Sequence, residues 1–176
     1  EVSLAGSELT ARIAALLLAT EGFAAALPAA LCERGIAGRS DRCIIDLPFH
    51  IAQIVAGLLD AARGDELSYA HFERRPVGDG RSVDAVLAEL RSVHARFSAA
   101  RAELEAADAR RMLRTYYGEQ PLLRVLERSA WHVAQHARQL EHLLVANGLQ
   151  PSSPLGDREL AGLPLPEGVW DAEFGA

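Results

Sequence analysis

Apolar residues recur at every third or fourth position in four long stretches of the chain, which is the spacing of an amphipathic helix. The first stretch follows Ser7, a residue type that caps helices, and continues to about Leu27. The second begins at Asp46, which we expect to cap it, and continues to Gly64. These two patterns predict the first two helices of the fold.

Two more amphipathic patterns follow a polar segment, residues 64–80, which we expect to be a loop. Ser82 precedes the third pattern, which runs to about Glu105. Pro121 begins the fourth, at the position where a helix tolerates the missing amide proton of proline, and Asn147–Gly148 is a typical helix end. The sequence therefore predicts four long helices.

The segment after Gly148 contains prolines that exclude another long helix, together with apolar residues that need to be buried. We therefore expect an ordered extension that wraps over the helices. The predicted fold class is all-α: a four-helix bundle of about residues 7–148 with one long connection, followed by a C-terminal extension, residues 149–176. A length of 176 residues fits one domain that spans the chain, residues 1–176.

The composition supports a helical protein and excludes several functions. Hydrophobic residues make up 49% of the chain and aromatic residues only 6%, with few β-branched alternating runs. The net charge is -6 and every basic residue is arginine, which argues against nucleic acid as a partner and excludes Schiff-base chemistry. No apolar stretch approaches the roughly 20 residues of a membrane span and none resembles a secretory signal. We expect a cytoplasmic protein that binds no membrane.

Cys32 and Cys43 are the two cysteines, and their spacing forms no Cys-x-x-Cys motif of a redox or zinc site. We expect both to be reduced and structural, because free cysteine usually behaves as a small buried hydrophobe. The thiols of the chain itself are therefore not expected to act as nucleophiles.

Three histidines form the candidate site. His132 and His136 lie four residues apart in the fourth predicted helix, so both rings share one face about one turn apart. His50 lies at the edge of the apolar face of the second helix. Three neutral imidazoles leave one coordination position of a metal ion open for water or a substrate. Helical histidines also serve as caps, hydrogen-bonding groups or surface residues, and the pattern alone leaves those roles open.

We expect other roles for the three remaining histidines. His142 lies on the polar face of the fourth helix, where we expect it to be solvated. His71 lies in the polar connection, where a loop role is expected. His94 lies on the apolar face of the third helix, where a hydrogen-bonding role is commoner than a ligand role.

The chain resembles the DinB family of the DinB/YfiT superfamily in four segments: Asp46–Ile51, Tyr116–Pro121, Trp131–Leu140 and Gly162–Pro166. The resemblance covers nearly the whole chain and includes the order and spacing of three histidines. It implies a four-helix bundle that holds a divalent metal through His50, His132 and His136. Homodimers are common among such proteins, so a homodimer is also implied.

Several branches of this family are metal-dependent thiol transferases that use mycothiol, bacillithiol or glutathione, and others are isomerases, hydrolases or proteins of unknown activity. Our leading hypothesis is an S-transferase whose metal ion activates a low-molecular-weight thiol cosubstrate toward a small-molecule substrate. Zinc is the first choice, before nickel, manganese or iron. The alternatives are a metal-dependent hydrolase, isomerase or lyase that uses activated water, and a noncatalytic protein that binds a metal or a small ligand.

Tyr116, Tyr117 and Arg138 flank the histidine pair and are candidates to orient an anionic substrate or to donate a proton. Both tyrosines lie in a break before the fourth helix that we expect to be briefly extended. Gln53 and Gln135 are candidates to orient the histidines, because a ligating imidazole normally donates its second N–H to an acceptor. The tyrosines and the arginine also have structural explanations, as packing at the end of a bundle and as a surface ion pair.

Overall fold

The computed structural model describes residues 4–37 and 39–170, which are mostly helical. The four long helices are α1 (Gly6–Ala25), α3 (Asp46–Ala62), α5 (Val83–Ala106) and α6 (Leu122–Ala146). The short helical segments are α2 (Ala29–Cys32), α4 (Ala70–Glu73), α7 (Asp157–Leu160) and a 3-10 turn (Gly78–Arg81). Each of the four predicted helices is present. None of the described helices has both the length and the apolar character that a membrane span requires.

Short strands accompany the helices. β1 (Gly35–Ile36) pairs antiparallel with β2 (Arg39–Cys43). β4 (Met112–Thr115) lies between β3 (Glu66–Leu67), to which it is parallel, and β5 (Gly118–Pro121), to which it is antiparallel. The prediction of an all-α fold is incomplete on this point, because strands this short show no alternating apolar pattern.

The polar segment, residues 64–80, is more ordered than the loop expected there, because it contains β3, α4 and most of the 3-10 turn. Leu67 pairs in register with Thr115 on β4 and buries its side chain. Phe72 in α4 is also buried. β3 buries one side chain, α4 buries two and the 3-10 turn buries none, which is too few to produce a periodic signal in the sequence.

The four long helices pack around a shared apolar core. α1 contacts α5 and α6 most extensively, and α3 contacts the same two helices. Each long helix contributes fully buried apolar side chains, among them Leu16, Leu58, Phe97 and Leu140. Such burial contributes about 25 cal/mol per Å² before the loss of chain entropy is counted. The contact between α3 and α6 positions the candidate site, because these two helices carry its three histidines.

The start of α1 differs from the prediction. The helix begins at Gly6 with Ala5 at the N-cap position, and the Glu8 carboxylate accepts a hydrogen bond from the Ala5 amide at 2.8 Å. Ser7 lies inside the first turn. The prediction of Ser7 as the cap is therefore wrong, because an acidic residue of the first turn stabilises this helix end instead.

Asp46 also has a different role from the helix cap that we expected. Its buried carboxylate accepts hydrogen bonds from the Cys43 amide at 2.8 Å and from the Arg81 guanidinium at 3.2 Å. Arg81 in addition makes a bidentate ion pair with Glu33. Asp46 therefore ties β2 and the 3-10 turn to the start of α3, the helix that carries His50.

Other predicted boundaries agree with the structure to within a few residues. Ser82 caps α5 by accepting a hydrogen bond from the Ala85 amide at 3.2 Å. Pro121 occupies the N-cap of α6, and after the helix Gly148 has a φ of +78°. Glycine adopts this left-handed conformation without a steric penalty, so the helix ends there.

The chain after α6 runs along the long helices as far as residue 170. Arg138 on α6 donates hydrogen bonds to the carbonyls of Pro166 and Glu167. Partly buried leucines of this tail pack on the core, namely Leu149, Leu155, Leu160, Leu163 and Leu165. These contacts agree with the predicted wrap, of which residues 171–176 lie outside the described part of the chain.

We expect the helices to survive removal of any bound metal. The apolar core draws on all four long helices, so folding should not depend on an ion as it does in small zinc domains. Far-ultraviolet circular dichroism of protein dialysed against EDTA checks this, with zinc-reloaded protein as the control. Loss of most of the helical signal on chelation would contradict the expectation and make the metal a folding cofactor.

Candidate metal centre

His50, His132 and His136 lie together between α3 and α6. The ring centroid of His50 is 5.3 Å from that of His132 and 4.8 Å from that of His136, and the last two are 4.9 Å apart. The three rings each offer one nitrogen, and these nitrogens lie within 4.8 Å of one another. The side chains are 3%, 9% and 3% exposed. The structure therefore brings together the three histidines that the sequence analysis selected.

Ordinary helical geometry accounts for this convergence. His132 and His136 are four residues apart in α6 and so project from one face about one turn apart. His50 lies near the start of α3, where the buried Asp46 carboxylate fixes the helix to β2. Packing of α3 on α6 then places all three rings in one buried space.

Gln139 holds the ring of His136. Its side-chain oxygen lies 2.8 Å from His136 Nδ1, and an amide oxygen can only accept, so Nδ1 carries the proton and donates. The lone pair of the neutral imidazole is then on Nε2. This is the usual arrangement of a metal-ligating histidine, in which an outer acceptor sets the tautomer and the ring orientation.

Gln53 and Gln135, which we expected to orient the histidines, bind other groups. Gln53 bridges the side chains of Glu89 and Arg74. Gln135 binds the C-terminal tail. Both predictions are wrong, because spacing along a helix does not settle which of several inward glutamines reaches a given ring. Gln139 was not predicted to have this role, although its position three residues after the second histidine of the pair places it on the same face.

His50 carries a buried atom, Nδ1, for which the described residues provide no hydrogen-bond partner. An unsatisfied buried polar atom costs about 1–3 kcal/mol, so native proteins retain few of them. An ion held among the three rings would give a buried imidazole nitrogen of this kind a partner. Three neutral imidazoles are a donor set that suits zinc and other divalent transition metals, so the residues present fit such an ion.

Burial keeps His50 and His132 neutral. Loss of solvation lowers the pKa of His50 well below 6.5, and the neighbouring His136 and His132 lower it further, as does Arg42. Loss of solvation also lowers the pKa of His132 well below 6.5, with contributions from His136, Arg128 and Arg42. Neutral imidazole is the form that binds a metal ion, so the rings need not lose protons before binding one at neutral pH.

The metal-free protein should lose stability as the pH falls. In the folded state the pKa values of His50 and His132 lie below 6.5, so in acid the unfolded chain binds more protons than the folded one. Their contribution to the free energy of unfolding is complete above pH 6.5 and is lost as the pH falls toward the folded-state pKa values. Urea unfolding between about pH 7.5 and pH 5 measures this. The His50→Gln/His132→Gln variant should show a smaller pH dependence, and an unchanged one would contradict the assignment.

Comparison with a known family agrees with these features. A sequence profile described as the DinB superfamily matches residues 9–140. The chain belongs to the DinB superfamily. The matching region contains all three histidines, and membership together with the histidine cluster fits a metal-binding protein. No curated protein and no solved structure matches the chain.

Aromatic side chains cover the histidine cluster of this DinB-superfamily protein. The Phe72 ring centroid is 6.0 Å from that of His50 and 5.4 Å from that of His132. The Trp131 ring lies 5.6 Å from His132. Both aromatic side chains are buried, so they keep water from the ring faces that they contact. Phe72 was not predicted to lie at the site, because it belongs to the segment expected to be a loop.

Tyr116 and Tyr117 lie at the turn between β4 and β5, which is the extended break predicted before α6. The Tyr116 ring is 5.6 Å from the Phe72 ring, and its hydroxyl accepts a hydrogen bond from Arg128 at 3.1 Å. Tyr116 therefore contacts Phe72, which in turn contacts His132. Burial raises the pKa of Tyr117, so this side chain keeps its proton at neutral pH.

Arg138, the third candidate for substrate contact, lies against the tail. Its guanidinium donates to the carbonyls of Pro166 and Glu167 at 2.9 and 3.1 Å and to the Gln135 side chain at 3.0 Å. Gln135 in turn donates to the Val169 carbonyl at 2.7 Å. These contacts hold the C-terminal segment on α6 and occupy donors that a substrate would need.

His71, His94 and His142 lie outside the cluster. His71 Nε2 is 3.3 Å from the Asp60 carboxylate, and His94 Nδ1 is 2.6 Å from the Glu21 carboxylate. His94 therefore has the hydrogen-bonding role that is commoner for a histidine at the core. His142 is exposed, as its place on the polar face of α6 predicts.

Both cysteines are free, in agreement with the sequence prediction. Cys32 is buried, and burial together with the charge of Glu33 raises the pKa of its thiol. A raised thiol pKa leaves little thiolate at neutral pH, so Cys32 is poorly suited to act as a nucleophile.

Proposed function

We propose that this protein is a divalent-metal-dependent S-transferase, in which His50, His132 and His136 hold the ion. The observation that carries the proposal is a buried cluster of three imidazoles that includes an unsatisfied nitrogen. Zinc is the first choice, because three nitrogen ligands with an open fourth position are typical of its reactive sites, and nickel, manganese or iron are alternatives. The choice of a thiol rests on the resemblance to DinB-family thiol transferases.

The protein supplies a rigid and sheltered setting for this chemistry. When bound, a divalent ion stabilises the deprotonated form of a thiol, whose ordinary pKa is about 8.5, and so supplies a nucleophile at neutral pH. Gln139 keeps the His136 ring in one tautomer and one orientation. Phe72 and Trp131 shield the His132 ring from water, which strengthens electrostatic interactions there.

We assign Tyr117 the role of proton donor to the leaving group and Tyr116 that of orienting the substrate. Burial raises the pKa of Tyr117, so its phenol carries a proton at neutral pH, and the assignment rests on its place at the turn before α6 with Arg128 stacked on its ring. Arg138 is a positioning residue that acts through the tail. The four long helices are proposed to form the four-helix bundle of this family, with α3 and α6 as the pair that holds the site.

Turnover should require both an added thiol and a bound metal. The test incubates metal-free and zinc-loaded protein with glutathione, bacillithiol or mycothiol and a panel of epoxides, alkyl halides and enones, and follows the thioether product by mass spectrometry. Thioether should form faster than in the protein-free control only when the thiol and the metal-loaded protein are both present. The Cys32→Ser/Cys43→Ser variant should retain the activity, because the nucleophile comes from outside the chain.

Three other outcomes would each reject part of the proposal. Substrate conversion by zinc-loaded protein without any thiol would favour a hydrolase, isomerase or lyase. Loss of activity in the cysteine variant, with metal and helix content intact, would indicate a nucleophile from the protein. Full metal binding without any conversion would favour the noncatalytic alternative.

A further inference from the structure

Arg128 lies on the same face of α6 as the two histidines, one turn before His132. Its guanidinium carbon is 4.7 Å from the centroid of the Tyr117 ring and 5.7 Å from that of the Trp131 ring. Its Nη2 donates to the Tyr116 hydroxyl at 3.1 Å. Because Trp131 also contacts the His132 ring, these aromatic groups hold the guanidinium at the border of the histidine cluster.

The guanidinium of Arg128 is held by two aromatic rings and a hydroxyl and not by an acidic side chain of the described residues. Within residues 4–37 and 39–170, no carboxylate forms an ion pair with it. Arg124, one turn earlier on the same helix, instead pairs with Glu127 at 3.4 Å. A guanidinium that is fixed by aromatic faces and a hydroxyl keeps its positive charge available for a ligand.

We propose that Arg128 binds a carboxylate of the molecule on which the histidine site acts. The planar fork of a guanidinium matches the two oxygens of a carboxylate, and its position on α6 places that carboxylate within about one helical turn of His132. The Tyr116 hydroxyl accepts from Arg128, so its own proton is available to the same carboxylate. This inference rests on the proposed function and narrows its ligands to small organic acids.

A second positive charge supports this preference. Arg42, which is partly buried, acts electrostatically on both His50 and His132. The surroundings of the cluster are thus cationic, although the chain as a whole has a net charge of -6. Arg138 is less suited to bind a ligand than Arg128, because its guanidinium already donates hydrogen bonds to carbonyls of the C-terminal tail.

The test compares two thiols with the same carbon chain length, 3-mercaptopropionate, which ends in a carboxylate, and 3-mercapto-1-propanol, which ends in a neutral hydroxyl. Protein loaded with Co²⁺ is titrated with each thiol, and binding is followed by the thiolate-to-cobalt absorption band. Wild-type protein should bind the carboxylate at least about tenfold more tightly than the alcohol, as expected for a hydrogen-bonded charge pair. Arg128→Gln should remove this difference, and Arg124→Gln should keep it.

Equal affinities in wild-type protein, or a preference that survives in Arg128→Gln, would overturn the inference and leave the S-transferase proposal standing. If neither thiol binds to the cobalt-loaded protein, the S-transferase proposal fails. The carboxylate site at Arg128 is then tested by the binding of propionate, which has no thiol. Calorimetry should then detect propionate binding in wild-type and Arg124→Gln protein and none in Arg128→Gln, and any other result overturns the inference. If Arg128→Gln does not retain cobalt, Arg128→Lys is used as the test variant in its place. It should weaken the preference for the carboxylate thiol over the alcohol. An unweakened preference overturns the inference.

Discussion

Replacing His136 by alanine should reduce bound metal from one ion per chain to almost none and abolish thiol-dependent turnover. The ring is buried, and its tautomer and orientation are set by Gln139, so the change removes an oriented nitrogen that no other described residue is placed to replace. Loss of even an outer partner of a ligand costs about 10–100-fold in metal affinity, so loss of a ligand should cost at least about 100-fold. Metal analysis after dialysis against a weak chelator measures the effect.

His142→Ala is the matched control for this prediction. It removes an exposed histidine from the same helix and should leave both metal content and turnover unchanged. Circular dichroism should show the same helix content in both variants. Wild-type stoichiometry in His132→Ala and His136→Ala alike would overturn the assignment of the site.

Phe97→Ala should lower the free energy of unfolding by about 3–5 kcal/mol, the usual cost of removing a buried phenylalanine. The side chain is 0% exposed and lies in α5, which carries none of the three histidines. The expected fall in melting temperature is about 10 °C for a chain of this size. Below the transition the variant should still bind one metal ion, because α3 and α6 keep their contact. Urea unfolding and metal analysis check both parts.

Leu18→Ala is the control, because it truncates an apolar side chain of α1 that is 55% exposed. Its effect should stay within about 1 kcal/mol, as is usual for surface positions. A loss of less than about 1 kcal/mol in Phe97→Ala would show that the core around α5 adapts to the cavity, against the packing described above.

The long helices could be predicted from the sequence because each presents a sustained apolar face. Phe97, for example, belongs to the periodic pattern of the third helix and is fully buried. Of the short strands in the described part of the chain, only the extended break around Tyr116 and Tyr117 was predicted, and a pairing such as that of Leu67 with Thr115 could not be, because it joins segments far apart in the chain. The cap at Ser82 was predictable from local chemistry, whereas the role of Asp46 depends on the distant Arg81.

The spacing of residues along the sequence predicted the histidines of the candidate site but not the side chains that contact them. The i, i+4 pair His132 and His136 follows from α6 alone, and the place of His50 at the edge of the apolar face of the second helix added the third ligand, in agreement with the resemblance to the DinB family. The roles of Gln139 and Arg128 were missed, although both lie within one turn of the pair, because arginine and glutamine are common on helices and sequence does not show what they touch. Only the packed structure distinguishes Arg128, which stacks on aromatic rings, from its neighbours on α6.

The amide of Gln139 joins the C-terminal segment to a histidine of the site. Its nitrogen donates to the Val169 carbonyl at 3.2 Å, while its oxygen accepts from His136. A carboxamide can present its oxygen to the ring only in the orientation that turns its nitrogen toward the tail. Proteolytic trimming near Leu165 would remove the Val169 carbonyl, free that amide to rotate and so disturb a histidine that the cut does not touch.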